Sequence, residues 1–225
     1  MINRKDLPNL VTVINGLVGS FALLLAIRGE TELSIRLIFL SLSLDVLDGL
    51  LARKLNAMSE SGELLDRVFD RVYQVIAPSI IYCYMQNWNV GSMFYSASII
   101  TLSFWRIIRR TPSKEYFLGL PLFVHTFVIL SSYLSGIALP YYLMLVLVIA
   151  SLFPIKYFRR IRTLSPNETK GTFWQIRIIV PLFLSIIPYS KLEILFELLF
   201  YIFIIYALFG WIPLLRNKNF FLREK

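Results

Sequence analysis

Cysteine, histidine and acidic residues are scarce in this 225-residue chain, and each shortage closes off a class of function. Cys83 is the single cysteine, so no intrachain disulfide and no thiolate metal cluster can form. His125 is the single histidine, which rules out a histidine-rich metal site and leaves it a packing or local hydrogen-bonding role. Charged residues make up 16% of the chain, well below the roughly 25% of a soluble domain. No long linker, low-complexity tract or internal repeat divides the sequence, which predicts one domain over residues 1–225.

What fills the space is apolar: 57% of residues are hydrophobic, 15% aromatic, and the mean hydropathy is +0.67. The apolar residues gather into eight segments: Leu10–Ile27, Leu33–Leu51, Leu64–Met85, Val90–Ile108, Leu118–Ala138, Tyr141–Tyr157, Phe173–Ile187 and Leu192–Leu215. Most approach the ~20 residues that span a bilayer, which predicts an all-α integral membrane bundle of about eight transmembrane helices. The sixth and seventh are short and contain or abut Pro154 and Pro181. Met1–Asp6 leads directly into the first segment without a small-residue cleavage site, which reads as a retained span.

The net charge of +9 is distributed by topology. Basic residues cluster before the first segment (Arg4, Lys5) and after the second (Arg53, Lys54), fourth (Arg106, Arg109, Arg110, Lys114), sixth (Lys156, Arg159, Arg160, Arg162, Lys170) and eighth (Arg216, Lys218, Arg223, Lys225). The alternate connections, Gln86–Asn89 and Gly136–Pro140, carry none, while Arg28, Arg36 and Lys191 stand alone. The positive-inside rule then puts both termini in the cytoplasm of a multi-pass cell-membrane protein. It also explains the charge by anionic lipid headgroups, with no nucleic-acid partner. Trp88, Trp105, Trp174 and Trp211 fall near segment ends, as interfacial aromatics do.

One stretch breaks the apolar pattern: DVLDGLLARKLNAMSESGELLDRVFD. Asp45 and Asp48 are spaced i, i+3, and Asp66 and Asp70 i, i+4, so each pair shares a helical face. Four carboxylates in one cavity repel unless cations intervene. Oxygen-only ligands suit Mg2+, Mn2+ or Ca2+, and a pair of such ions about 4 Å apart suits a pyrophosphate. Gly49, Ala52 and Gly62 leave room for a nucleotide beside the acids, and Arg53 offers a phosphate a forked cation. The simpler alternative, that the acids pair with Arg67 or Arg71 to fix packing, accounts for one such acid but not for four at two helical spacings.

The spacing D-x2-D-G-x2-A-R-x8-G-x3-D-x3-D resembles the signature of the CDP-alcohol phosphotransferase family, matched at Asp45, Asp48, Gly49, Ala52, Arg53, Gly62, Asp66 and Asp70. The resemblance implies a six-helix family core with extra C-terminal helices, and a homodimer. It implies that Asp45, Asp48, Asp66 and Asp70 bind one or two divalent ions. Asp70 would act as general base on the acceptor hydroxyl. Asp45, Asp48, Gly49, Ala52, Arg53 and Gly62 would line the CDP site.

Further segments resemble the type II phosphatidylserine synthases. They are LPNLVTVINGLVGSFALLLAI with Pro8, Asn9, Thr12, Asn15 and Gly19, then Ala77-Pro78, and FWRIIRRTPSKEYFLGLP with Arg106, Arg109, Phe117, Gly119, Leu120 and Pro121; FPIKY near Lys156 is similar too. Together they cover roughly the first 160 residues. The resemblance implies L-serine as acceptor, CDP-diacylglycerol or CDP-dialkylglycerol as donor, and Arg106 and Arg109 as candidate acceptor contacts. Tyr73-Gln74-Val75 stands where that subfamily commonly has Ser-Phe-Gly. Arg71 after the last aspartate resembles relatives that use inositol phosphate, so inositol phosphate and glycerol phosphate are alternative acceptors.

Two other classes make different demands. A cation-coupled transporter places its acids near the midplane among broken or repeated helices, and no inverted repeat is visible. An intramembrane aspartyl protease needs two aspartates sharing a proton, and four carboxylates with Gly49 and Gly62 exceed that requirement.

Overall fold

A computed structural model describes residues 7–55, 60–108, 116–158 and 172–212. They form α1 (Leu7–Ile27), α2 (Thr31–Lys54), α3 (Glu60–Arg71), a π-helical turn (Val72–Ile76), α4 (Ala77–Met85), α5 (Val90–Ile108), β1 (Tyr116–Leu118), α6 (Leu122–Ser135), α7 (Tyr141–Leu152), β2 (Lys156–Phe158), α8 (Thr172–Ile186) and α9 (Glu193–Phe209). Because α3, the π turn and α4 run on without a break, the helical runs coincide with the eight apolar segments of the sequence.

Local chemistry sets the boundaries. Pro8 sits in the first turn of α1, where no intrahelical donor is needed. Gly29, with φ of 82°, reverses the chain before Thr31 opens α2. Gly136 ends α6 in the left-handed conformation, with φ of 70°. Pro78 lacks an amide hydrogen and its ring would crowd the carbonyl of Gln74 in a regular helix. The widened turn just before it, closed by the Ala77 amide on the Val72 carbonyl, is a physical answer to that crowding.

The sequence predicts helix through Leu118 and out to Tyr157, and here the structure differs. Tyr116–Leu118 and Lys156–Phe158 pair as antiparallel strands in the register Tyr116↔Phe158, Phe117↔Tyr157 and Leu118↔Lys156. The all-α expectation therefore gains a two-stranded ribbon. Pro154 biases Phe153 to extended backbone, ending α7 at Leu152, and Gly119 at φ of 72° ends β1 before Pro121 caps α6. Periodicity cannot see these breaks, because the residues around them are as apolar as their helical neighbours.

The described residues divide into two compact units, one within residues 1–89 and 169–188 and the other within residues 90–168 and 189–225. In the first, α1 packs against α2, α3, the π turn and α4, and α2 also packs on α8. The α1–α2 seam is small and polar: Ser34 Oγ donates to the Ala22 carbonyl at 2.7 Å, and Thr12, Asn15 and Ala22 all face inward. On α2, Ser43 Oγ reaches the Ile178 carbonyl of α8 at 3.1 Å. Arg36, an isolated charge in sequence, donates to the carbonyls of Ser185, Ile186 and Ile187 at the end of α8, at 3.0–3.2 Å. The large side chains Leu17, Phe21 and Leu24 of α1 point the other way and are 67%, 57% and 55% exposed.

In the second unit, α5 packs on α7 and α6 on α9. Phe127 and Phe203 stack with centroids 4.7 Å apart, and the Tyr157 hydroxyl donates to the Ala207 carbonyl at 3.0 Å. His125 is buried, with Tyr95 Oη 3.2 Å from Nδ1 and Ser151 Oγ 2.9 Å from Nε2, so its role in the fold is local hydrogen bonding.

Among the described residues, Pro8–Ile27 is the one helix both long and apolar enough to cross a membrane by length and composition. The apolar helices α6 and α7 have 14 and 12 residues, and α2 carries the charges of the motif along its 24 residues. Of the basic clusters that orient the predicted topology, Arg4, Lys5, Arg109, Arg110, Lys114, Arg159, Arg160, Arg162, Lys170, Arg216, Lys218, Arg223 and Lys225 lie outside the described residues.

Candidate active site

The structure brings three of the four motif aspartates together, and Asp70 is not among them. Asp45 and Asp48 on α2 meet Asp66 on α3, with one carboxylate oxygen from each lying within 4.8 Å of the others. Asp48 is buried; Asp45 and Asp66 are half-buried. The Thr12 hydroxyl of α1 lies 3.0 Å from Asp48 Oδ2 and 3.1 Å from the Pro8 carbonyl, so it donates to the carboxylate or caps its own helix. Asp66 Oδ1 is buried with no hydrogen-bond partner. Nor does Arg67 neutralise it by direct pairing, since its guanidinium is taken by Glu63 one turn earlier.

This donor set fits a divalent cation. Three full charges within 4.8 Å repel by about 3 kcal/mol or more per pair at an effective dielectric of about 20. Summed over the cluster, that rivals the whole stability of a typical fold. A hard cation removes the penalty and gives the orphaned Asp66 oxygen a partner. All the donors are oxygens, which matches Mg2+, Mn2+ or Ca2+.

Asp70 is handled differently from the other three. The Tyr73 hydroxyl donates to its Oδ1 at 2.5 Å and Gln74 Nε2 donates to the same oxygen at 3.1 Å. Gln74 Nε2 is also 3.3 Å from the Tyr73 hydroxyl. Tyr73 is fully buried and lies over Gly19 of α1, where an added Cβ would come within 2.9 Å of its Cδ1. Gly16 plays the same part for Phe69, whose ring would be 2.6 Å from a Cβ there. The small residues of α1 thus let the acid-bearing helix approach closely.

The remaining predicted residues are placed unevenly. Gly49 and Ala52 lie on α2 after Asp48, and Gly62 on α3 before Asp66, all half-buried. Arg53 belongs to α2, but its side chain lies outside the described residues, as does the whole of Arg109. Arg71 is half-buried and interacts electrostatically with Asp70 and Asp66. Arg106, in the second unit, donates to the carbonyls of Leu120 at 2.9 Å, Leu118 at 3.4 Å and Ser151 at 2.5 Å. It fixes the turn at Gly119, where a Cβ would meet its guanidinium and the Ser151 carbonyl.

Thr12, Tyr73 and Gln74 carry interactions that the motif alone did not reveal. Thr12 stands out in sequence only through the resemblance of the first segment. Tyr73 and Gln74 register there as a departure, although their i+3 and i+4 spacing from Asp70 is the signal that could have linked them.

Comparison with known proteins agrees with this geometry. The family model for CDP-alcohol phosphatidyltransferase matches residues 5–155. The chain is 30% identical to the archaetidylserine synthase of Methanothermobacter thermautotrophicus over 139 residues, 58% of this chain and 58% of that protein. It is 26% identical to the CDP-diacylglycerol–serine O-phosphatidyltransferase of Helicobacter pylori strain 26695, over 94% of this chain and 95% of that protein. The corresponding Bacillus subtilis enzyme is 31% identical over 102 residues, 45% of this chain and 51% of that protein. Both the motif and the matched span lead to one conclusion: the chain belongs to the CDP-alcohol phosphatidyltransferases, a family of membrane-embedded transferases.

Proposed function

We propose that this protein transfers the phosphatidyl or archaetidyl group of a CDP-activated lipid to L-serine, releasing CMP. The observation that carries the reading is the meeting of Asp45, Asp48 and Asp66 within 4.8 Å, with a buried Asp66 oxygen that has no protein partner. Asp45, Asp48 and Asp66 would hold divalent metal, one or two ions, and Asp70 would contribute both as a ligand and as general base. The ions supply charge neutralisation of the diphosphate. Gly49, Ala52, Gly62 and Arg53 border the CDP moiety with the two aspartates of α2. Asp70 takes the proton of the acceptor hydroxyl, the freed oxygen attacks the lipid-bearing phosphorus, and the bond to CMP breaks.

Serine as acceptor is supported by the names of the three relatives above, two serine O-phosphatidyltransferases and an archaetidylserine synthase. Arg71, Arg106 and Arg109 remain the candidate acceptor contacts. The eight helical runs form a single multi-pass domain in the cell membrane, homodimeric, with both termini and the acids at the cytoplasmic face. The outward Leu17, Phe21 and Leu24 against an inward Thr12, Asn15 and Gly19 support that reading, since lipid, not water, tolerates such a surface.

Purified protein given CDP-diacylglycerol and L-serine should release CMP only with Mg2+ or Mn2+, and chelator should abolish it reversibly. Release that ignores chelator would overturn the metal reading. Equal or faster release with inositol phosphate or glycerol phosphate would overturn serine, and the charge of Arg71 beside Asp70 makes that comparison worth running.

A further inference from the structure

We infer that Tyr73 and Gln74 are positioning residues, a two-donor brace that commits one oxygen of Asp70 and thereby aims the other at the acceptor hydroxyl. The inference deepens the proposed function and rests on it for the role of Asp70. The geometry is specific to the side chains present. Both donors converge on Oδ1, from the hydroxyl of Tyr73 at 2.5 Å and the amide of Gln74 at 3.1 Å, and they contact each other at 3.3 Å. Both donors fall on the same oxygen, so the brace holds the carboxylate plane through Oδ1.

The brace is itself held. Tyr73 is fully buried, on the π turn that precedes Pro78, with its ring over Gly19. A tyrosine packed on a glycine has little freedom to turn away, and its hydroxyl delivers a fixed direction rather than a mobile contact. A carboxylate that must act as a base gains from such fixing. Without it the carboxyl group could turn freely beside the cluster of Asp45, Asp48 and Asp66, and the direction in which it takes a proton would be lost. These residues occupy the same positions at which the sequence departs from the Ser-Phe-Gly of the serine-using pattern. The chain therefore supplies its own means of holding the last aspartate.

The test compares wild type, Tyr73→Phe, Gln74→Leu and the double variant by two readouts, steady-state CMP release and Mn2+ binding followed by electron paramagnetic resonance. Tyr73→Phe keeps the ring over Gly19 and removes only the donor. The expected result is a fall in kcat of about tenfold, with KM for CDP-diacylglycerol and for serine within about twofold. Gln74→Leu should fall less and the double variant furthest, while Mn2+ affinity stays within about threefold of wild type throughout. Wild-type kcat in the double variant would overturn the inference. So would a parallel loss of Mn2+ binding, because the pair would then be supporting the metal cluster and not aiming Asp70. If wild type binds Mn2+ but releases no CMP with any acceptor, the proposed function fails instead, and the two failures stay distinct.

Discussion

At the scale of single residues, the site is a matter of which oxygen is already spoken for. Thr12 reaches Asp48 from a different helix, a contact of the kind that orients a ligand without touching the metal. Thr12→Val keeps the shape and removes the hydroxyl, and Mn2+ affinity should drop by about tenfold to a hundredfold while thermal stability changes little. Unchanged affinity would mean that the hydroxyl serves only the Pro8 carbonyl. The clustering of Asp45, Asp48 and Asp66 was legible in sequence because helical spacing is a local property and acids are rare in so apolar a chain. The partners of those aspartates were not, since Thr12 comes to Asp48 across 36 residues of chain. Tyr73 and Gln74 were in plain view one turn after Asp70, but a resemblance read by pattern marks such residues as a mismatch and gives them no task.

At the scale of elements, the acid-bearing helix depends on how closely α1 can lie against it. Gly16 and Gly19 open that space, and in both cases the neighbour is an aromatic ring on the helix of Asp66 and Asp70. Gly19→Ala should push Tyr73, destabilise the protein by about 1–3 kcal/mol and lower CMP release together. Thermal unfolding and the activity assay on one preparation would check this, and full activity at wild-type stability would show that the ring yields freely. Sequence periodicity found the eight long helical runs among the described residues, because apolar runs of this length have few alternatives. It missed the ribbon of β1 and β2, where Gly119 and Pro154 act through backbone geometry and leave the hydropathy unchanged. Arg106, a candidate acceptor contact, also donates to three backbone carbonyls around the Gly119 turn, a task its place in the sequence does not announce. Arginines with either task look alike in a sequence.

At the scale of the whole molecule, the proposed topology puts Gln86–Asn89 and Gly136–Pro140 outside the cell and the acids within. Cys83, buried on α4, can be replaced by serine to give a thiol-free background. Asn89→Cys and Ala138→Cys, both at exposed positions, should then react with a membrane-impermeant maleimide on intact cells. Labelling only after the cells are broken would invert the orientation. The inside-out character of α1 has a practical corollary for anyone handling the protein. α1 meets α2 along a seam that includes Thr12, Asn15, Ala22 and Ser34, while its greasy Leu17, Phe21 and Leu24 face outward. Solubilisation should therefore be gentlest in long-chain detergents whose micelles mimic hydrocarbon thickness. Short-chain ones let water reach the serine-lined seams, so melting temperature should climb with alkyl length across a homologous maltoside series.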